Sequence, residues 1–159
     1  ARLAGWANTS DAHHVTAPCP DGEGAARCMK LALARAGMQP SDIGYINAHG
    51  TSTPLGDKAE TLAVKSVFGG RECAPPMSST KSATGHLMGA GGLTEVIACI
   101  MALREGVLPP TLHLDTPDPD CDLDYVPNTA RKADISAAMS NSLGFGGQNS
   151  SIIVAKYEL

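Results

Sequence analysis

Apolar residues fall at two spacings along the chain, and glycine, proline or aspartate stands where one spacing gives way to the other. The opening residues Ala1-Arg2-Leu3-Ala4-Gly5-Trp6-Ala7 read as a strand. A loop holding His13, His14, Thr16 and Cys19 leads to Asp21-Gly22-Glu23, which opens a helix. On it Ala25, Met29, Ala32, Leu33 and Ala36 recur at helical spacing until Gly37 stops it. Pro40-Ser41-Asp42 predicts a turn, and Ile43 to Ala48 a short strand. Thr53 as N-cap and Pro54 as first helical residue start a helix that runs to Phe68, before Gly69-Gly70. A further short strand is expected around Met77 to Ser79. From Leu87 to Glu105 the residues are apolar nearly all round, which predicts a helix enclosed on most sides and ended by Gly106. Leu108 to Asn128, rich in Pro and Asp, reads as irregular. Ala137 to Ser142 and Ser151 to Tyr157 pair as strands across Leu143-Gly144-Phe145-Gly146-Gly147-Gln148-Asn149. Alternating units closed by a hairpin predict an α/β domain with a mixed β-sheet flanked by helices.

Composition narrows this picture. At 159 residues one domain with a true core is possible, built from small aliphatics, since apolar residues make up 43% and aromatics only 4%. The net charge of −4 without a basic cluster argues against nucleic acid as a partner. Five cysteines, an odd number without CxxC spacing, point to a reduced, cytoplasmic protein rather than a disulfide scaffold. No signal peptide or membrane span is visible, because the apolar run Leu87 to Leu103 is interrupted by Thr94 and Glu95. A chain that opens inside a strand without Met is expected to be a piece of a longer protein.

The chemistry centres on His49, in Asn47-Ala48-His49-Gly50-Thr51-Ser52-Thr53-Pro54-Leu55-Gly56-Asp57, and His86, in Ser79-Thr80-Lys81-Ser82-Ala83-Thr84-Gly85-His86-Leu87. Both motifs are expected where a strand ends and a helix begins, the edge at which open α/β sheets bind ligands. Two neutral imidazoles aimed at one point can donate two N–H bonds to an oxygen gaining negative charge. One lone histidine would be a satisfied loop residue; two in matching settings favour a site. Lys81 would keep the His86 imidazole neutral, or be an ordinary surface lysine. Thr51, Ser52 and Thr53 can bond an extended polar ligand, with Thr53 also capping the helix. Asp57 and Glu60 fall on neighbouring turns, for which a solvated helix face is the default. Glu95, inside an apolar helix, needs a partner. Phe145, among glycines, is a structural plug, a gate or a backbone donor.

Together these motifs resemble the C-terminal half of the β-ketoacyl-acyl carrier protein synthases, in particular the KAS II type of bacterial fatty-acid synthesis. The likeness runs over residues 1–159, with 1–20 as the strand and loop arriving from the N-terminal half. It rests on His49-Gly50-Thr51-Ser52-Thr53-Pro54 with Gly56-Asp57, Ser79-Thr80-Lys81-Ser82 with Thr84-Gly85-His86, and Asn141-Ser142 with Gly144-Phe145-Gly146-Gly147 and Asn149. The resemblance implies a thiolase-like half of a five-layered αβαβα fold, a homodimer, and decarboxylative Claisen condensation of malonyl-acyl carrier protein with an acyl thioester. It implies that His49 and His86 stabilise the enolate, that Lys81 supports His86, and that Phe145 gates the acyl channel. Thr51, Thr53, Thr16 and Gly146 would line the phosphopantetheine path, with Asp57, Glu60 and Glu95 in support. A structural monovalent cation near Asn47, Glu95 and Ser140 is implied, but no catalytic metal and no resident cofactor, since substrates ride on acyl carrier protein. No nucleic acid or membrane partner is implied. Leu143 stands where many members have Phe, and Gln148 where Thr or His is common.

The family's nucleophilic cysteine lies in the N-terminal half, and no cysteine here has its small-residue setting. Cys121, between Asp120 and Asp122, is expected to have a raised pKa. The chain alone is therefore expected to be inactive in condensation. Alternatives are a non-catalytic partner subunit of the chain-length-factor type, a polyketide ketosynthase and a thiolase-like enzyme. Retention of both histidines argues against the first, and the Lys81-Ser82 to Gly85-His86 motif against the last.

Overall fold

The structure, a computed structural model, describes residues 1–157. Its main sheet has five strands in the order β1-β7-β6-β2-β3. These are β1 (Arg2–Ser10), β2 (Tyr45–Asn47), β3 (Met77–Ser78), β6 (Ala137–Gly144) and β7 (Gln148–Ala155). β7 pairs antiparallel with both β1 and β6, whereas β2 lies parallel to β6 and β3. A second ribbon joins β4 (Val107–Leu108) to β5 (Arg131–Lys132). The strand assigned to an arriving segment is thus part of this unit's own sheet, because Arg2 to Ser10 run register-matched against Ala155 to Gln148.

Alternation along the strands builds two cores. Ile46, Met139, Ile153 and Ala155 face α1 (Glu23–Ala36) and α2 (Pro54–Phe68) on one side of the sheet. Tyr45, Ala138 and Val154 face α4 (Gly91–Glu105) on the other. Gly5 lets β1 and α1 close on one another, since a Cβ there would lie 2.5 Å from the Ala32 carbonyl oxygen. Gly37 ends α1 in the left-handed conformation, and Met38 N–H returns to Leu33 O at 3.1 Å.

Several expectations are corrected. α4 begins at Gly91, after a 3₁₀ turn at Met88–Ala90, and is not enclosed. Leu93, Ile97 and Met101, one turn apart, are 67%, 50% and 42% exposed. Thr53 occupies the N-cap of α2 without a side-chain capping bond, and its hydroxyl pairs with Thr51 instead. The closing hairpin is tighter than expected, with only Phe145-Gly146-Gly147 between strands. Among the described residues no helix is long and apolar enough to cross a membrane.

Candidate active site

Parallel strands β2 and β3 end on the same edge, with Asn47 opposite Ser78, so the segments that follow them emerge side by side. Three bonds tie the segments together: Ala48 N–H to Ser78 O (2.9 Å), Ser79 Oγ to Gly50 O (2.6 Å), and Lys81 Nζ to His49 O (2.5 Å). The second segment first makes a one-turn helix, α3 (Lys81–Thr84), which the sequence did not announce. Gly85 then turns the chain and His86 follows. The two imidazoles meet edge to face, with ring centroids 5.7 Å apart and planes at 84°. Separate loops therefore deliver both rings to one place.

Their proton positions follow from their neighbours. His86 Nδ1 accepts the Met88 N–H at 3.1 Å, which leaves the proton of the neutral ring on Nε2. His49 Nδ1 is buried without a partner; an unmet acceptor costs less there than an unmet donor, so Nε2 again carries the proton. Burial first, then the Lys81 cation and His86, push the His49 pKa down to about 4. This ring is neutral at physiological pH.

The Lys81 ammonium bonds the His49 carbonyl, forms a buried ion pair with Glu95, and helps keep the His49 imidazole uncharged. The other Glu95 oxygen accepts Ser142 Oγ at 3.2 Å. A cation at Asn47, Glu95 and Ser140 does not fit this arrangement, because Lys81 already neutralises the carboxylate and Asn47 bonds Thr80.

Glu60 is not on a solvated face. It is buried, and its two oxygens accept the backbone N–H groups of His49 and Gly50, each at 3.0 Å. Asp57, half-buried, has its carboxyl raised by burial, against the Ser52 and Thr53 backbone N–H groups that favour its charge. Thr51, Thr53, Lys81 and His86 border a cavity of about 620 Å³, whose far wall includes Thr111 and Tyr125. His49 is not among the residues that line this cavity, although its neighbours Ala48 and Gly50 are; its ring meets that of His86.

Phe145 is 81% exposed, which removes the structural-plug reading within this unit. Its turn is latched to the 11–19 loop: Gly146 N–H donates to Val15 O (2.7 Å), Asp11 N–H to Gly147 O (2.8 Å), and Asn149 Nδ2 to Asp11 Oδ1 (2.6 Å). Gly147 has φ +71°, and a Cβ there would lie 2.8 Å from Asp11 Cβ. Thr16 is exposed beside this latch, its N–H on His14 Nδ1. Neither Phe145, Gly146 nor Thr16 borders the cavity that His86 borders.

Three of the cysteines, Cys19, Cys99 and Cys121, have raised thiols. Burial pushes Cys99 up to about 12 and raises Cys121, helped by Asp118 and Asp57 rather than by the flanking aspartates. Cys19 is raised chiefly by its hydrogen bond to Asp21. Cys28 is buried and Cys73 exposed.

Two features escaped the sequence reading. Glu60 was detectable, since it shares a helical stripe with Ala63, Val64 and Val67, all buried. The Asp11–Asn149 latch joins residues too distant in sequence to leave a local signal. What the assembled site can do is donate two imidazole N–H groups to one point, His49 from a partly buried position and His86 from an exposed one.

Residues 1–115 match the protein family described as beta-ketoacyl synthase, C-terminal domain. The 3-oxoacyl-[acyl-carrier-protein] synthase 2 of Staphylococcus aureus (strain COL) is 51% identical over 158 residues, which are 99% of this chain and 38% of that protein. Among solved structures, the ishigamide ketosynthase/chain length factor superposes with a TM-score of 0.93 at 40% identity, covering 98% of this chain and 38% of that one. A type II polyketide-synthase acyl-carrier protein in complex with its ketosynthase matches with the same TM-score, identity and coverage. The chain thus spans under two-fifths of the length of the relatives it matches.

Proposed function

Because the chain belongs to the β-ketoacyl synthase family, as its C-terminal domain, we propose that it contributes the decarboxylating machinery of a 3-oxoacyl-acyl carrier protein synthase of fatty-acid elongation. The whole of residues 1–159 is read as that domain. The observation that carries this is the pair of imidazole rings, centroids 5.7 Å apart, brought together from separate loops. In the reaction, the malonyl thioester loses carbon dioxide and leaves an enolate, whose oxygen takes both N–H bonds. The enolate carbon attacks an acyl thioester; the C–C bond forms, the thiolate leaves, and a β-ketoacyl product results. His49, held uncharged by burial and Lys81, takes up no second proton at working pH and so acts as a neutral hydrogen-bond donor.

We read the acylated nucleophile as lying outside this chain, since the thiols of Cys19, Cys99 and Cys121 are all raised, and the chain alone is expected not to condense. Thr51 and Thr53 border the cavity and suit the phosphopantetheine of an acyl carrier protein, the carrier partner of this reading. Thr16, Phe145 and Gly146 form a separate gating edge, held by the Asp11 latch. The complete protein is read as a cytoplasmic homodimer. Identity of 51% to the 3-oxoacyl-[acyl-carrier-protein] synthase 2, against 40% to the ketosynthase of a type II polyketide synthase, favours elongation over polyketide assembly.

The test uses the full-length protein. His49→Ala or His86→Ala should slow malonyl decarboxylation roughly 10²–10³-fold, one preorganised donor being lost in each, while acyl transfer survives. Decarboxylation at the wild-type rate in both variants would exclude this role.

A further inference from the structure

The far wall of the cavity is fastened to the turn that carries Lys81, and hydroxyl groups do the fastening. Residues 109–112 follow β4 and run beside the end of β3, where Ser78 Oγ donates to Pro109 O at 2.6 Å. Thr111 Oγ1 accepts the Ser79 N–H at 3.1 Å and donates to Tyr125 O at 2.8 Å. Ser82 Oγ accepts the Leu112 N–H at 2.9 Å and donates to Ser79 O at 2.8 Å. Both backbone groups of Ser79 are thus taken by hydroxyls. Its own Oγ in turn holds Gly50 O at 2.6 Å, next to His49. A hydroxyl oxygen takes an N–H on a lone pair and gives its one proton to a carbonyl. A methyl group in its place does neither, and leaves the N–H of a buried residue without a partner.

We propose that Thr111 and Ser82 are positioning residues for the two histidines: through Ser79 they join the far wall of the cavity to both loops, so that wall and imidazoles form one frame. This rests on the reading of His49 and His86 as donors to the enolate. Ser79 is the meeting point. Along the chain it leads into α3, from which Lys81 reaches the His49 carbonyl and after which His86 follows. Across the loops its hydroxyl fixes the Gly50 carbonyl directly. On the other side Thr111 is itself anchored, its N–H on Val126 O (3.0 Å) and its carbonyl accepting the Asn128 N–H (2.9 Å). The frame therefore reaches the core, where Val126 is wholly buried. With its one proton given to Tyr125 O, the Thr111 hydroxyl has none to offer a ligand, although Thr111 borders the cavity. Loss of the hydroxyl should accordingly appear in turnover rather than in binding.

In the full-length protein, Thr111→Val keeps the shape of the side chain and removes the hydroxyl. It should lower kcat for malonyl decarboxylation about tenfold, the scale of two neutral hydrogen bonds, and leave KM for the malonyl thioester unchanged. Thr111→Ser, which puts the hydroxyl back, should return kcat to the wild-type level. Hydrogen exchange reads the frame independently of turnover. In Thr111→Val the amides of residues 79–86 and of residues 48–51 should both exchange faster, although no amide of the second group bonds Thr111. A kcat that does not fall in Thr111→Val, or does not recover in Thr111→Ser, overturns the proposal. So does an effect confined to KM, which would make Thr111 a ligand contact, and so does faster exchange that stops at residues 79–86. Should Thr111→Val fail to fold, Ser82→Ala and its rescue by Ser82→Thr put the same questions to the second hydroxyl, with the same outcomes deciding. If the protein decarboxylates no malonyl thioester, the functional reading fails, and the exchange comparison alone still decides whether these hydroxyls join wall and loops.

Discussion

Lys81 and Glu95 are almost wholly withdrawn from water, at 7% and 3% side-chain exposure, so neither charge can be removed alone without cost. Lys81→Met should destabilise the protein by about 3–5 kcal/mol, because Glu95 is left buried and uncompensated. Lys81→Met combined with Glu95→Gln should recover most of that loss in denaturant unfolding. The titrations of His49 and Glu60 act on stability in opposite directions. His49 is lowered from its ordinary 6.5 to about 4, so the unfolded chain takes up the proton first and stability is lost as pH falls through that window. Glu60 is raised from 4.5 to about 7, so the unfolded chain ionises first and stability is lost as pH rises through that window. Melting temperatures of Glu60→Gln relative to wild type should therefore improve steadily from pH 4.5 to 7 and level off above. The two histidines and Lys81 were legible from their small, hydroxylated settings. The bond from Lys81 to the His49 carbonyl was not, because spacing in sequence says nothing about reach across to the neighbouring loop.

At the scale of elements, helices α1 and α2 matched their expected ends, since glycine stops and a proline start are local chemistry. The end of α4 was equally plain, but its start and its surroundings were not. An apolar circumference says that a helix avoids water on every side; it does not say that this sheet supplies the cover. Leu93, Ile97 and Met101 form the uncovered stripe. The closing turn illustrates tertiary control of a local motif. Its glycines were visible, yet the reason for Gly147 is the approach of Asp11 from the far end of the chain. Gly147→Ala should be destabilising by roughly 1–3 kcal/mol, through strain at positive φ and overlap with Asp11. It should also change the rate of acyl loading by displacing Phe145. An unaltered melt and loading rate would show that the turn absorbs the methyl group.

At the scale of the molecule, one sheet covered on both faces gives a scaffold from which two adjacent loops project. The acidic stretch before β5 is fastened to α2 by Lys58–Asp120 and Lys65–Asp122. Lys58 and Asp120 are both about half exposed, so Lys58→Ala should change unfolding free energy by no more than about 0.5 kcal/mol. A larger effect would mean that the stretch is held as a unit. α/β architecture with a mixed sheet was legible because alternation and helical period were clear. The strand order was not, because β1 pairs with β7 across nearly the whole sequence. That pairing sets Arg2 directly opposite Ala155, at about 5 Å, one strand spacing. The way into this unit and the way out of it are therefore neighbours. A few linking residues would suffice to join them into a ring, and a gene segment coding for positions 2–155 could be grafted between hosts with hardly any gap to bridge.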